Sequence, residues 1–225
     1  RMLRTGAGHL NTTIAHQLEE MFDAPVIEAY GSTETGFIAC NSLQAEKRKL
    51  GSVGLSCGCD IMIQQPDETP SPVGISGEVV VRGKNIIDNY DGDPAGTQAA
   101  FQGEWYRTGD LGKLDDEGYL FLKGRLKEVI RRGGQSISPG EIESSLLEHS
   151  DVKEAIIFGV PHPTLGEDIG VVVVPIEGAK VTKSDLTSFL ATRVSVYKIP
   201  QEIIFVETIP TGDTGKVQRR NLARD

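Results

Sequence analysis

The chain has 225 residues, 38% hydrophobic and 24% charged, the balance of a globular protein with one large or two modest domains. Its 23 basic and 32 acidic residues give a net charge of −9, which argues against general nucleic-acid binding, since that needs a basic face. No apolar run approaches the roughly 18 residues of a membrane span, and the 3 cysteines and 4 scattered histidines lack the paired spacing of a zinc site.

Taken in chain order, the first predicted element is a helix. Asn11 and Thr12 can cap it, and Ile14, Leu18, Met21 and Phe22 fall on one face. "PVIEAY" reads as a strand ending at Tyr30, and "DIMIQQP" and "GEVVVRG" read as two more. Asp93 is the expected N-cap of a short helix with Pro94 in its first turn, and "KLDDEGYLFLKG" reads as a hairpin. Ser138 and Glu141 have the spacing of a capping box ahead of a helix through Ile142 and Leu146. "EAIIFGV" and "GVVVVPI" then read as strands, followed by a helix from Thr182 to Leu190 and a last strand, "EIIFVE". This alternation predicts a separate small α/β or α+β domain of about 100 residues, with its boundary between Gly124 and Lys127.

Four short stretches carry chemistry. In "YGSTETG", Tyr30 can present its ring to a planar base, and Gly31 admits a ligand close to the backbone. Ser32 and Thr33 can donate to phosphate oxygens, while Glu34 offers a hard oxygen suited to Mg²⁺. In "YRTGDLG", Asp110 between two glycines suits two vicinal ribose hydroxyls, because a carboxylate accepts at both oxygens. "KGRLKEVIRR" holds five basic residues and one acidic one, a local +4 inside an acidic chain. "PTGDTGKVQRR" places Lys216 after a glycine-rich turn, but it is no P-loop, since Val217 stands where Ser or Thr is required. Taken singly, each stretch reads equally as a solvated turn, a basic strand or a terminal loop.

Together and in this order, "YGSTETG", "YRTGDLG", "GRLKEVI" and "PTGDTGKVQRR" resemble signature motifs of the adenylate-forming (acyl-activating) superfamily of acyl-CoA ligases, luciferases and adenylation domains. The resemblance covers essentially the whole chain. It implies an α/β (α+β) fold: residues 1–124 as the end of a large, mostly β AMP-binding domain, and residues 125–225 as a small mobile C-terminal domain. It further implies that Tyr30 stacks on adenine, Thr33 contacts the α-phosphate, Glu34 helps hold Mg²⁺, and Asp110 binds the ribose with Arg125 assisting. Lys127 takes the hinge position, Gly134 lines the pantetheine tunnel, and Lys216 bridges the carboxylate and the α-phosphate. The implied substrates are a small carboxylic acid, ATP (leaving as AMP) and coenzyme A.

The family's Ser-Gly-Thr-Thr-Gly-x-Pro-Lys-Gly phosphate loop is absent. The expectation is therefore a piece of a longer polypeptide, inactive by itself. "RGGQSISP" departs from coumarate ligases and resembles oxalate-CoA ligase-like members, a hint about substrate. Two alternatives stand beside the CoA ligase: an adenylation domain that loads a carrier protein, and a truncated nucleotide-binding module without catalysis. The expected compartment is the cytoplasm; a peroxisomal address would need a signal at the true C-terminus, and "NLARD" carries none.

Overall fold

The apolar run after Pro25 forms a strand because its neighbours cover both faces. In the computed structural model, which describes all residues except 7–9, 11, 211–218 and 223–225, Val26, Ile27, Glu28 and Ala29 are all buried. The described chain divides into two units, Arg1–Leu126 and Lys127–Asp225.

The first unit holds two sheets. One has the order β1 (Leu3–Thr5), β2 (Val26–Ser32), β3 (Gly36–Cys40) and β4 (Leu55–Ser56), with helix α1 (Thr12–Phe22) between β1 and β2 in the chain. The second is built on β5 (Asp60–Gln64), β6 (Gly77–Arg82), β8 (Trp105–Leu114) and β7 (Phe101–Gln102), with β9 (Leu120–Arg125) paired to β8. Helix α2 (Pro94–Ala100) precedes β7, and Asp93 Oδ1 caps it by accepting from Gly96 N at 2.8 Å. Val79, Val80 and Val81 are fully buried, which explains a continuous valine run where a one-sided strand would alternate. Ile38 and Leu120 join Val79 and Val81 in the same core.

Two expectations for this unit change in detail. The strand expected to end at Tyr30 continues to Ser32 and turns into β3, so "YGSTETG" is the tip of a hairpin with a register shift between Tyr30 and Gly31. Helix α1 forms, but Ile14, Met21 and Phe22 are exposed, while Ala15 is buried and Leu18 half-buried.

The second unit is one sheet with helices against it. Its strands are β10 (Ile130–Arg132), β11 (Gln135–Ile137), β12 (Val152–His162), β13 (Gly166–Pro175) and β14 (Glu202–Phe205), with β12 and β13 forming a long antiparallel pair. Ile142 and Leu146 of α3 (Pro139–Leu146) and Leu186 and Leu190 of α4 (Lys183–Ala191) pack with Ile157, Ile169 and Val171 into its core. The short α5 (Arg219–Leu222) is anchored by Arg219, whose Nε donates to Glu128 Oε2 at 3.0 Å and whose Nη1 donates to Glu143 and, at 2.8 Å, to the Ile157 carbonyl.

The capping box expected at Ser138 and Glu141 is not built. The Ser138 side chain makes no cap hydrogen bond to the helix, and the Glu141 carboxylate is held by Lys198 Nζ at 2.6 and 2.8 Å, a charged donor that outcompetes a backbone N–H. The box occurs at α4 instead, where Thr182 and Asp185 cap one another's backbone. Sequence reading also passed over the β10–β11 hairpin. Gly133 and Gly134 sit at its turn with φ of +55° and +81°, the two left-handed positions that Gly-Gly fills without strain.

Candidate functional site

The site is assembled where the tip of the β2–β3 hairpin meets the bent part of β8. Asp110, only 9% exposed, is its centre. Its Oδ2 accepts from the Tyr30 hydroxyl at 2.6 Å, and its Oδ1 accepts from Arg125 Nε at 3.0 Å. The pairing follows from topology, because β8 and β9 run antiparallel with Asp110 directly opposite Arg125. Burial, reinforced by the Asp110 charge, pushes the Tyr30 phenol above its usual range, so Tyr30 is a neutral donor.

Glu34 lies one turn further along the hairpin. A hydrogen bond from the Ser32 hydroxyl, its own backbone N–H, Tyr90 and the Arg125 charge hold its carboxyl below the usual range. The Tyr90 hydroxyl donates to Glu34 Oε1 at 3.3 Å and lies 3.1 Å from the Tyr106 hydroxyl. Tyr90 also lines a shallow depression of about 370 Å³ with Pro94, Thr97 and Gln98. Thr33 is exposed at the hairpin tip. Gly31 has a structural reason of its own: a Cβ there would overlap the Gly36 carbonyl oxygen across the hairpin. The turn is pinned by the fully buried Thr35, whose Oγ1 accepts from Ser32 N at 3.0 Å, and by Asn85, which donates to the Thr35 carbonyl at 2.6 Å.

The structure thus brings Tyr30, Glu34, Asp110 and Arg125 of the first unit into one cluster. Lys127 and Gly134 belong to the second unit, Lys127 being its first residue, in a short 3₁₀ turn. Lys216 lies outside the described residues. Sequence reading missed Tyr90, Tyr106 and Glu78. Only "DNYDGDP" offered a signal for Tyr90, an aromatic residue just before a capped helix; the other two sit inside strand patterns that read as ordinary.

The cluster is a buried carboxylate held on both oxygens, with an aromatic ring and a second carboxylate at a glycine turn beside it. The model for AMP-binding enzymes matches residues 1–91, and that for the AMP-binding enzyme C-terminal domain matches residues 141–216. Similar proteins include a probable CoA ligase, CCL9, of Humulus lupulus, 40% identical over 99% of this chain, and the oxalate–CoA ligase of Arabidopsis thaliana, 39% identical over all of it. Among solved structures, ATP-bound MatB from Rhodopseudomonas palustris superposes with a TM-score of 0.92 at 31% identity. o-Succinylbenzoate CoA synthetase (MenE) from Bacillus subtilis, in complex with the acyl-adenylate OSB-AMP, does so at 0.90 and 32%. Both cover the whole of this chain and under half of their own, 45% and 46%. The chain likewise spans 43% and 44% of the two plant relatives. The chain belongs to the family of AMP-binding, adenylate-forming enzymes.

Proposed function

We propose that the natural polypeptide carrying this chain is an AMP-forming acid–thiol ligase, which converts a carboxylic acid to its acyl-adenylate and passes the acyl group to coenzyme A. The observation that supports this reading best is the Tyr30–Asp110–Arg125 cluster, a buried carboxylate held on both oxygens beside an aromatic ring. Relatives named as CoA ligases support the choice of acceptor.

In the first step the carboxylate oxygen forms a bond to the α-phosphorus of ATP and the bond to pyrophosphate breaks. Tyr30 stacks on the adenine, Asp110 accepts from the ribose hydroxyls with Arg125 holding it in place, and Thr33 donates to the α-phosphate. Lys216 supplies the cation that bridges the two reacting anions; such fixed charges are worth most in a water-poor site. In the second step the coenzyme A sulfur, having lost its proton, attacks the acyl carbonyl and AMP leaves. The hinge at Lys127 lets the second unit serve each step in turn, and Gly134 leaves room for the pantetheine arm.

Glu34 fits the Mg²⁺ role, being an ionised carboxylate at the glycine turn. No group of three or more His, Cys, Asp and Glu side chains gathers among the described residues, but an ion shared with nucleotide phosphates needs only one or two carboxylates. Bound there, Mg²⁺ would neutralise phosphate charge.

The test is AMP release by the natural polypeptide with a panel of carboxylates, including oxalate, fatty acids and hydroxycinnamates, with and without coenzyme A. The reading predicts AMP formation that depends on one acid and is stimulated by coenzyme A. Adenylation indifferent to coenzyme A would favour the carrier-protein alternative, and no AMP with any acid would favour a non-catalytic nucleotide-binding module.

A further inference from the structure

We propose that Glu78 is a positioning residue for the ribose-binding carboxylate, acting as the clamp of the β-bulge that carries Asp110. This rests on the reading of Asp110 as the ribose ligand. The bulge is visible in the β6–β8 register. Glu78 pairs with Leu111 and Val80 pairs with Arg107, so the single residue Val79 on β6 faces Thr108, Gly109 and Asp110 on β8. A bulge re-aims a side chain but leaves backbone N–H groups without ladder partners.

Here Glu78 takes one of those groups and ties the bulge to Arg107 as well. Glu78 Oε1 accepts from Gly109 N at 3.2 Å, and Glu78 Oε2 accepts from Arg107 Nε and Nη2 at 3.1 and 2.7 Å. The rest of the bulge closes on itself: Thr108 Oγ1 donates to the Val79 carbonyl at 2.7 Å and accepts from Asp110 N at 3.1 Å. Gly109 holds φ at +69°, a left-handed kink between the two anchored residues.

Glu78 is 8% exposed, so its charge is buried, and the Arg107 guanidinium compensates it. Tyr30 and Arg125 hold the Asp110 side chain, Thr108 accepts from its backbone N–H, and Glu78 holds the residue before it, Gly109. The clamp needs a carboxylate in particular. Both oxygens accept, whereas a glutamine offers one acceptor and turns an N–H₂ toward either Gly109 N–H or the guanidinium, donor against donor.

The experiment measures binding of AMP and of 2′,3′-dideoxy-AMP to the natural polypeptide by titration calorimetry. The ratio of the two dissociation constants reports how well the ribose hydroxyls are gripped. Glu78→Gln is expected to shrink that ratio about tenfold, the scale of one charged hydrogen bond, while leaving dideoxy-AMP affinity near wild type. Asp110→Ala is expected to abolish the ratio altogether. Equal weakening of both nucleotides in Glu78→Gln, or no change in the ratio, would overturn the clamp if Asp110→Ala has lost discrimination. A normal ratio in Asp110→Ala would overturn the ribose reading itself, and the clamp with it. Should Glu78→Gln fail to fold, Arg107→Lys, on a side chain 46% exposed, keeps the charge but loses the two-nitrogen grip. It is expected to lower the same ratio a few-fold, and an unchanged ratio there would equally overturn the clamp.

Discussion

In the proposed function Tyr30 has two jobs with separable chemistry, stacking by its ring and holding Asp110 by its hydroxyl. The hydroxyl donates to Asp110 at 2.6 Å, a hydrogen bond to a charged acceptor worth about 1.5–3 kcal/mol when deleted. Tyr30→Phe keeps the stacking face and is expected to weaken AMP binding about tenfold or more; Tyr30→Ala, which removes the ring too, is expected to be weaker still by titration calorimetry. Glu28, on the same strand, poses a different problem. It is 7% exposed, and burial pushes its carboxyl up to about 7 from an ordinary 4.5. The folded state therefore binds a proton that the unfolded state has released, so stability present below about 4.5 is lost as pH rises through 7. Glu28→Gln has no such proton to lose. Thermal melts should find this variant more stable than wild type at pH 8, with the gap closing toward pH 5; a gap independent of pH would show that Glu28 is ionised in the fold.

At the scale of elements, residues whose partners are near in sequence were legible and those with distant partners were not. Asp93 and Pro94 announced α2 because a cap reaches only three residues along the chain. Ser138 and Glu141 announced a capping box that does not form, because Lys198, 57 positions away, takes the carboxylate. Tyr30, Glu34, Asp110 and Arg125 were readable as motif residues. Glu78 and Tyr90 were not, since their roles exist only once β6 meets β8 and Tyr90 meets Glu34. The C-terminal sheet depends on its helices in a measurable way. Leu186 of α4 is fully buried in the core of the second unit, and Leu186→Ala is expected to cost about 2–5 kcal/mol by urea unfolding. A loss under 1 kcal/mol would mean that α4 is not packed as described.

For the whole molecule, the division of labour between two units is the property the proposed chemistry needs. The first unit holds the Tyr30–Asp110–Arg125 cluster and ends at Leu126, and the second begins at the residue expected to be the hinge, Lys127. Lys127→Pro, which fixes φ at that residue, is expected to leave adenylation near wild type and to block thioester formation in the natural polypeptide. Equal survival of both half-reactions would remove Lys127 from the hinge. Net acidity does not exclude the proposed anionic substrates, because the run from Lys123 to Arg132, which includes Arg125, opposes it locally.

The most direct test of acyl-adenylate chemistry is the exchange of labelled pyrophosphate into ATP by the natural polypeptide, with its carboxylic acid present and coenzyme A withheld. Adenylation as a separate, reversible first step predicts exchange that depends on the acid and needs no thiol. Exchange that appears only with coenzyme A, or turnover that yields ADP and phosphate, would contradict it.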